Sequence, residues 1–294
     1  MRAAVFDRFG PPDVLHVVER PDPEPGPGEV RVRVRAAGVQ PFDVAVRAGG
    51  MPWLDVTFPS GIGQEYAGVV DRVGPGAGFE VGDEVLGSTM LAGQASALIA
   101  PAANVVRKPP GLSFPAAAAI VAAGQTATGA LRELDLRPDD VLLVHAAAGS
   151  VGTVAVQLAR RLGAKVIGTA SPANHDYLRQ LGAVPVAYGA GLVENVVATG
   201  LVPTVALDAA GPEAVTASIK LGVDRIGTIV DDSAGGRVVR APRDPARLAE
   251  VARLAADGAL LMPVRAYPLS EVAAAHAAVE SRHGRGKVVL IVQP

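Results

Sequence analysis

Hydrophobic and polar positions alternate in the first part of the chain, to about residue 110. Residues 30–36 read VRVRVRA, which is the two-residue period of a strand with one buried and one solvated face. The proline-rich segment PDPEPGPGE precedes this strand and predicts a turn, because proline has no N–H for a sheet ladder. Residues 68–73 and 84–86 are further predicted strands. We therefore predict a mostly antiparallel, partly barrel-like unit here.

The pattern changes near Ser113, where helical and strand-like segments begin to alternate with short connections. The predicted helices cover residues 115–131, 151–162 and 177–181, and the predicted strands cover residues 141–144, 165–170, 203–209 and 227–230. This order predicts βαβ units and a parallel sheet. From about residue 263 the pattern is again irregular, with a helix over 270–280 and a strand over 287–292. We predict an α/β fold in which a doubly wound parallel sheet, residues 113–263, is inserted into a first domain of residues 1–112 and 264–294.

Composition narrows the possible functions. The formal net charge is -2, the sequence pI is about 6.2 and like charges form no runs, so no nucleic-acid partner is expected. The absence of cysteine excludes disulfides, thiolate metal sites and cysteine nucleophiles. The first residues lack the apolar stretch of a signal peptide, and the longest purely apolar stretch, residues 116–123, is too short to span a bilayer. We expect a cytoplasmic protein without a membrane partner.

Residues 141–163 carry a dinucleotide-binding pattern, in which a buried strand runs through a glycine-containing turn into an amphipathic helix. Set against G-x-G-x-x-G, the three positions are Ala147, Gly149 and Gly152. Gly149 permits close approach of the backbone to a pyrophosphate, and Gly152 permits the helix to start against the sheet. Ser150 and Val151 complete the predicted pyrophosphate loop. The alternative is a glycine-rich turn that binds nothing.

The second predicted strand indicates which nicotinamide nucleotide is bound. An acidic residue about 20 positions after the glycines usually holds the ribose 2′-OH, but the first one here is Asp176. Because a carboxylate would repel a 2′-phosphate, its absence favours NADPH over NADH. The candidate donors to that phosphate are Ser171, Asn174, His175 and Arg179. The alternative for these residues is an ordinary polar loop and helix face.

Several blocks of the sequence, taken together, resemble the medium-chain dehydrogenase/reductases. They include PGPGEVRVRVRAAGVQPFD, GQEYAGVVDRVGPGAGFEVGDEVLG, AAAGSVGTVAVQLARRLGAKVIGTAS and PLSEVAAAHAAVESRHGRGKVVLIV, in the family's order. The G-H-E block of zinc-dependent members reads Gly63-Gln64-Glu65 here, and the cysteine ligands are missing. The sequence is most similar to the zinc-independent quinone oxidoreductase and enoyl reductase branch. This resemblance implies a GroES-like catalytic domain, a Rossmann domain, and hydride transfer from NADPH to a quinone or an α,β-unsaturated carbonyl compound, without zinc.

The resemblance also implies functions for individual residues. The family's N-x-x-D segment appears as residues 40–43, with Gln40 in place of asparagine beside the nicotinamide or substrate. The remaining residues that the resemblance assigns to the cofactor are Thr126, Ser171, Tyr188, Ala209, Ala210, Gly211, Val230, Asp231, Arg285 and Lys287. Two segments depart from the family: residues 93–97 lack its Tyr and Glu, and residues 221–260 are shortened.

Few side chains of the first domain are suited to stabilising a developing enolate. Gln40 and Gln64 can donate hydrogen bonds to a carbonyl oxygen, or they can satisfy nearby backbone instead. We assign Gln40, Asp43 and Gln64 to catalysis, although Asp43 also fits a structural carboxylate. The predicted substrate pocket contains Phe42, Trp53 and Tyr66. Tyr66 also fits a core position.

The sequence allows other functions besides that of a reductase. Because the pocket segments are altered, the protein can also be a redox-neutral cyclase or isomerase, or a non-catalytic nucleotide-binding protein. We expect a homodimer that pairs through the edge of the Rossmann sheet, with residues 227–230 as the edge strand. Among the histidines, we expect His145 to be a packing residue and His16, His276 and His283 to be peripheral.

Overall fold

The computed structural model of the chain describes residues 1–292. The first third is rich in strands, as its alternating pattern predicts. Its elements are β1 (Arg2–Phe6), β2 (Leu15–Glu19), β3 (Glu29–Val39), α1 (Pro41–Arg47), β4 (Ser60–Gly61), β5 (Glu65–Val73), β6 (Glu84–Ser88), β7 (Ala97–Pro101) and β8 (Val105–Arg107).

Helices and strands then alternate through the middle of the chain. These elements are α2 (Phe114–Glu133), β9 (Val141–Val144), α3 (Ser150–Leu162), β10 (Lys165–Thr169), α4 (His175–Gln180), β11 (Val184–Val186), α5 (Leu192–Val197), β12 (Val205–Asp208), α6 (Pro212–Lys220), β13 (Arg225–Thr228) and β14 (Arg237–Val238). The closing elements are α7 (Pro245–Ala256), β15 (Val264–Pro268), α8 (Val272–Glu280) and β16 (Lys287–Ile291).

The chain forms two compact units. One contains residues 1–122 together with the residues from Arg243 onward, and the other contains residues 123–242. The predicted boundaries, 112/113 and 263/264, lie outside these limits. At the first junction α2 runs through the boundary as a single helix of 20 residues. At the second, α7 packs against β8 and so belongs to the first unit.

The first unit is built around β3. This strand pairs antiparallel with β5 along one edge, and along its other edge with β7 and then β16, which gives a seven-stranded sheet in the order β15-β16-β3-β5-β6-β8 with β7 beside β3. A second sheet has the order β2-β1-β4. Val30, Val32 and Val34 are buried, as their alternation predicts. The mostly antiparallel architecture is confirmed.

The prediction that the arginine face of β3 is exposed to solvent is wrong at Arg31. Arg31 is only 4 % exposed, because the proline-rich segment before the strand folds over it. Its guanidinium makes two hydrogen bonds to the Asp71 carboxylate, at 2.8 and 3.0 Å, and donates to the Pro23 carbonyl at 3.1 Å. These partners offset the cost of removing the charge from water.

The second unit contains a six-stranded sheet in which every neighbouring pair is parallel, in the order β11-β10-β9-β12-β13-β14. Numbered within the unit, this is the Rossmann order 3-2-1-4-5-6, which switches direction between the first and fourth strands. The doubly wound parallel sheet is therefore confirmed. The expectation that residues 227–230 form the sheet edge is wrong, because β13 is flanked by β12 and by the short strand β14.

Helix α2 is, among residues 1–292, the one helix long and apolar enough to cross a membrane by length and composition alone. However, 72 % of its most apolar 18-residue window is buried inside the protein. Ala117, Ala118 and Ala119 are completely buried. The helix thus serves as a core element in this fold.

Candidate active site

The turn between β9 and α3 is anchored on β10. Ala146 has a positive φ of 53° and donates its N–H to the Thr169 hydroxyl at 3.2 Å, while the Ala147 N–H donates to the Thr169 carbonyl at 2.9 Å. Ala147 occupies the position of the first motif glycine and is fully buried. A β-carbon built at Gly168 would lie 2.9 Å from the Ala147 β-carbon. A glycine on β10 therefore makes the room that the motif usually obtains from a glycine in the turn.

The two remaining glycines of the motif have different surroundings. A β-carbon at Gly152 would lie 2.5 Å from the Ala146 carbonyl oxygen and 2.6 Å from the Ala147 α-carbon, so this position requires glycine. A β-carbon at Gly149 would meet only the Ala146 carbonyl oxygen, at 3.3 Å. Ser150 and Val151 begin α3, where the first backbone N–H groups have no acceptor within the helix. Helix dipole and N–H groups together suit an anion at this end of α3.

The candidate 2′-phosphate residues follow two neighbouring strands. Thr169 of β10 pairs with Val186 of β11, so Ser171 and Tyr188 each stand two residues beyond a matched pair. The Asn174 amide donates to the Ser171 hydroxyl at 3.2 Å, and Tyr188 is 59 % exposed. These residues thus lie at the same edge of the sheet.

Arg179, predicted to join them, lies on α4 and forms an ion pair with Asp176 at 2.5 Å. Both side chains are exposed. The Arg179 guanidinium thus contacts a carboxylate of its own helix. This contact does not support the predicted contact with the phosphate.

The loops after β12 and β13 are organised by two residues that sequence reasoning did not name. Asp208 is buried, and its Oδ1 accepts the N–H groups of residues 210 and 211 at 2.8 and 3.0 Å. The Thr228 hydroxyl donates to Asp208 Oδ2 at 2.7 Å and accepts from the N–H groups of residues 230 and 231. The predicted cofactor segments 209–211 and 230–231 are thus tied together. The signal in the sequence was a polar residue at the last position of each of these two strands.

His145 follows β9 beside this pair. It is 1 % exposed and its Nε2 lies 2.9 Å from the Ser218 hydroxyl. Burial lowers the pKa of His145 to about 4, so the imidazole is neutral near pH 7. This placement agrees with the packing role expected for it.

In the first unit, the structure joins the two predicted carbonyl donors. Gln40 precedes α1, and its Nε2 donates to Gln64 Oε1 at 2.8 Å. The Gln64 Nε2 donates in turn to the Met90 sulfur at 3.4 Å. Gln64 is 9 % exposed, whereas Gln40 is half-buried. The two amides therefore act as a pair, with Gln40 as its more accessible member.

Asp43 is bonded to the backbone of Gln40, one member of this pair. It is fully buried, and its Oδ2 accepts the Gln40 backbone N–H at 3.0 Å in a capping box that starts α1. Burial, and next the nearby Glu65 carboxylate, raise the pKa of Asp43 to about 7, while Lys287 acts in the opposite direction. Asp43 thus positions Gln40 through the backbone.

Lys287 does not fit the predicted phosphate contact. It is 3 % exposed, and its ammonium forms an ion pair with the fully buried carboxylate of Glu65. The middle strand β3 passes between their two strands, and a β-carbon at Gly38 would collide with Glu65 Oε2. Glu65 Oε1 also accepts the Ala122 N–H at 2.6 Å. Arg285, two residues earlier, is exposed.

The expectation that His276 is peripheral is wrong. This residue of α8 is completely buried, and its Nε2 lies 3.0 Å from Gln94 Oε1. Burial, followed by the nearby positive charge of Arg47, lowers the pKa of His276 to about 3. Gln94 belongs to the segment that departs from the family, and its amide nitrogen reaches within 3.5 Å of Asp43 Oδ2. In this segment, which differs from the family, Gln94 therefore has a buried polar partner, His276 of α8.

The predicted substrate-pocket residues occupy two environments. Phe42 and Trp53 are neighbours, with ring centroids 6.1 Å apart, and Trp53 is 68 % exposed. Tyr66 is fully buried in the core of the first unit, and this burial raises the pKa of its hydroxyl. Tyr66 therefore has the core position that the sequence also allowed. Thr126 lies half-buried on the part of α2 that belongs to the second unit.

A Rossmann sheet with a glycine turn at the start of α3, in a chain whose other unit is built on a mostly antiparallel sheet, is the architecture of dehydrogenases and reductases. Residues 26–134 match the alcohol dehydrogenase GroES-like domain, and residues 196–290 match the zinc-binding dehydrogenase domain. The chain belongs to the medium-chain dehydrogenase/reductase superfamily, in its quinone oxidoreductase-like branch.

Solved structures resemble the chain over its whole length. The quinone oxidoreductase from Coxiella burnetii has a TM-score of 0.90 at 30% identity, covering 100% of this chain and 99% of that one. An NAD-dependent alcohol dehydrogenase gives 0.89 at 32% identity, covering 100% of both chains. The Escherichia coli quinone oxidoreductase complexed with NADPH gives 0.87 at 28% identity, covering 99% and 100%.

A relative of a different size is also similar. The pikromycin polyketide synthase component PikAII of Streptomyces venezuelae is 44% identical over 149 residues, which are 47% of this chain. The chain spans only 4% of that synthase's length.

Proposed function

We propose that the protein is an NADPH-dependent, zinc-independent reductase of a quinone or an α,β-unsaturated carbonyl compound. The observation that carries this proposal is the turn after β9. Gly152 is closed against the backbone while Gly149 is open at the start of α3, the arrangement a bound pyrophosphate requires. The NADPH-complexed quinone oxidoreductase among the similar structures supports the same nucleotide.

The chemistry of several residues in the second unit supports NADPH as the nucleotide. Residues 149–152 would hold the pyrophosphate, and the loops joined through Asp208 and Thr228 would hold the nicotinamide end. Ser171 and Tyr188 would donate to the 2′-phosphate, where a carboxylate would repel it. When bound, NADPH supplies the hydride that reduces the substrate.

The residues of the first unit would bind and polarise the substrate. Reduction of a conjugated carbonyl places negative charge on its oxygen, and a fixed N–H donor stabilises that charge. Gln40 would be this donor, held by Asp43 through its backbone and by Gln64 through its side chain. Phe42 and Trp53 offer flat apolar surface to the rest of the substrate. Protonation of the product is assigned to water.

The proposal that zinc takes no part rests on the ligand set. Gln64 stands where zinc-dependent members have histidine, the sequence has no cysteine, and no group of three potential ligands occurs among residues 1–292. We expect full activity after dialysis against a chelator and far less than one equivalent of zinc by elemental analysis. Loss of activity that added zinc restores would contradict this part of the proposal.

The first experiment is a titration with NADPH and, separately, NADH, followed by Trp53 and nicotinamide fluorescence. If NADPH binds tightly, a panel of quinones and enones is then tested, and NADPH oxidation is measured by the loss of the absorbance of the reduced nicotinamide. Turnover with net NADPH consumption is the expected result. Product formation without NADPH consumption would indicate a redox-neutral cyclase or isomerase, and binding of neither nucleotide would overturn the proposal.

A further inference from the structure

The side chains of Gln40, Gln64 and Met90 are linked by two consecutive hydrogen bonds. Gln40 Nε2 donates to Gln64 Oε1 at 2.8 Å, and Gln64 Nε2 donates to Met90 Sδ at 3.4 Å. Gln64 is 9 % exposed, so few water molecules reach its amide, while Met90 is 49 % exposed. The partner of the buried Gln64 amide is therefore a sulfur atom of a side chain that is half-exposed to solvent.

A carboxamide can be turned by 180° with almost no change of shape, so its orientation depends on its partners. A thioether sulfur can accept a hydrogen bond but cannot donate one. If Gln64 were turned, its oxygen would face the Met90 sulfur, and two acceptors would meet. Its nitrogen would then also face the Gln40 nitrogen, so that two donors would meet. The observed orientation is the one that satisfies both contacts.

We propose that Met90 is a positioning residue whose thioether orients Gln64 and, through it, presents the amide N–H of Gln40 to a substrate oxygen. This inference rests on the proposed reductase function. Asp43 holds Gln40 through its backbone N–H, so the orientation of the Gln40 side-chain amide depends on Gln64 and, through Gln64, on Met90.

The orientation selects the chemical class of the substrate. With one N–H engaged by Gln64, the second N–H of Gln40 Nε2 remains for an acceptor such as a quinone, ketone or thioester carbonyl oxygen. In the reverse orientation Gln40 would present its oxygen and would favour a hydroxyl or amine donor. Met90 would thus favour carbonyl substrates without contacting them, because it acts through Gln64 on the orientation of Gln40.

The test is a double-mutant cycle of Met90→Leu with Gln64→Glu, using 1,4-benzoquinone and 2-cyclohexenone as probes. Met90→Leu keeps the volume but removes the acceptor, so kcat/KM should fall about fivefold, chiefly in kcat. A carboxylate at position 64 accepts only and keeps the Gln40 N–H turned toward it without help. In the Gln64→Glu background, Met90→Leu should therefore cost nothing or restore activity.

Met51→Leu is the matched control, since Met51 packs beside the core of the first unit and makes no such bond to either glutamine among the described contacts of residues 1–292. Its kcat/KM should match that of the wild type. An equal loss from Met90→Leu in both backgrounds would show that Met90 only packs, and would overturn the proposal.

A second readout does not depend on turnover. In protein labelled with ¹⁵N-glutamine, the side-chain amide signal of Gln64, assigned by its loss in Gln64→Glu, should move in Met90→Leu and stay in place in Met51→Leu. An unmoved signal would overturn the proposal. If wild-type protein reduced neither probe, the proposed function would fail, and this spectrum would still decide whether Met90 orients Gln64.

Discussion

Gly149 and Gly152, the two glycines of the motif at the start of α3, lie in different surroundings. Gly152 lies against the backbone of Ala146 and Ala147, whereas Gly149 has one contact at 3.3 Å. The sequence pattern identifies both positions but does not separate their roles. Only the surroundings show that a β-carbon at Gly152 would overlap the backbone, whereas one at Gly149 would meet a single carbonyl oxygen.

We predict that alanine at Gly152 affects stability, whereas alanine at Gly149 affects nucleotide binding. Gly152→Ala should lower the free energy of unfolding by about 1–3 kcal/mol, because its β-carbon overlaps backbone that cannot move independently. Gly149→Ala should leave stability nearly unchanged but raise the Kd for NADPH roughly tenfold. Urea unfolding and fluorescence titration measure the two quantities. A destabilised Gly149→Ala protein with unchanged NADPH affinity would contradict the division of roles.

Asp43 leads to a prediction about pH. Its pKa is about 7 in the folded protein against 3.8 for the free side chain, so between these values the folded state holds a proton that the unfolded state has released. The contribution of Asp43 to stability should therefore fall as pH rises from about 4 to about 7, and the penalty should be complete above about 7. The buried His145 and His276, whose pKa values are lowered to about 4 and about 3, act in the opposite direction at acidic pH. Glu65, Lys287 and Arg243 are the charged groups that act on Asp43.

Asp43→Asn should remove this contribution, so its stability relative to that of the wild type should increase as pH rises over that range. Urea midpoints at about pH 5 and about pH 8 measure the difference. The surface variant Asp139→Asn is the control and should keep the wild-type slope. An unchanged slope in Asp43→Asn would show that the carboxyl is ionised throughout this range.

At the scale of elements, the parallel register of β10 and β11 decides which side chains meet. Thr169 is matched with Val186, so the loops that carry Ser171 and Tyr188 leave the sheet side by side. These residues are far apart in sequence, and their proximity could be expected only from the resemblance to the family. Arg179, which is close to Ser171 in sequence, is instead turned to Asp176 on α4.

We predict that Ser171→Asp reverses the preference between the nucleotides. A carboxylate at the end of β10 would repel the 2′-phosphate and accept from a ribose 2′-OH, so the Kd for NADPH should rise at least about tenfold while that for NADH falls. Parallel titrations give both constants. Ser171→Ala is the control, since it should weaken NADPH binding without improving NADH binding. Equal effects on both nucleotides would place the phosphate elsewhere.

At the scale of the whole molecule, the edge of the Rossmann sheet is the candidate surface for pairing two copies. The edge strand is β14, not β13, and Val238 on it is 36 % exposed. A two-residue strand leaves unpaired backbone groups that a second copy can complete.

We expect a homodimer, and Val238→Asp should shift it to a monomer because the two introduced charges would face each other across the edge. Light scattering over a range of protein concentrations measures this. Val202→Asp, at a residue that is 73 % exposed, is the control and should leave the dimer intact. A wild-type monomer, or a dimer unaffected by Val238→Asp, would refute this assignment.

The sequence alone was sufficient for the succession of strands and helices, for the parallel sheet, and for the turn containing Gly149 and Gly152. These features follow from hydrophobic period and from backbone requirements that act over a few residues. The family resemblance extended this to the two-unit architecture, which the sheet topology confirms.

Only the tertiary structure decided which polar groups are buried and with which partners. Lys287 meets Glu65 across Gly38, His276 meets Gln94, and Arg31 is covered by the segment that precedes its strand. The alternation around Arg31 and the isolated position of His276 in the sequence suggested solvent instead. The reason is physical: a polar side chain is stable in the core only when a partner satisfies it, and the tertiary packing of strands, helices and loops determines that partner.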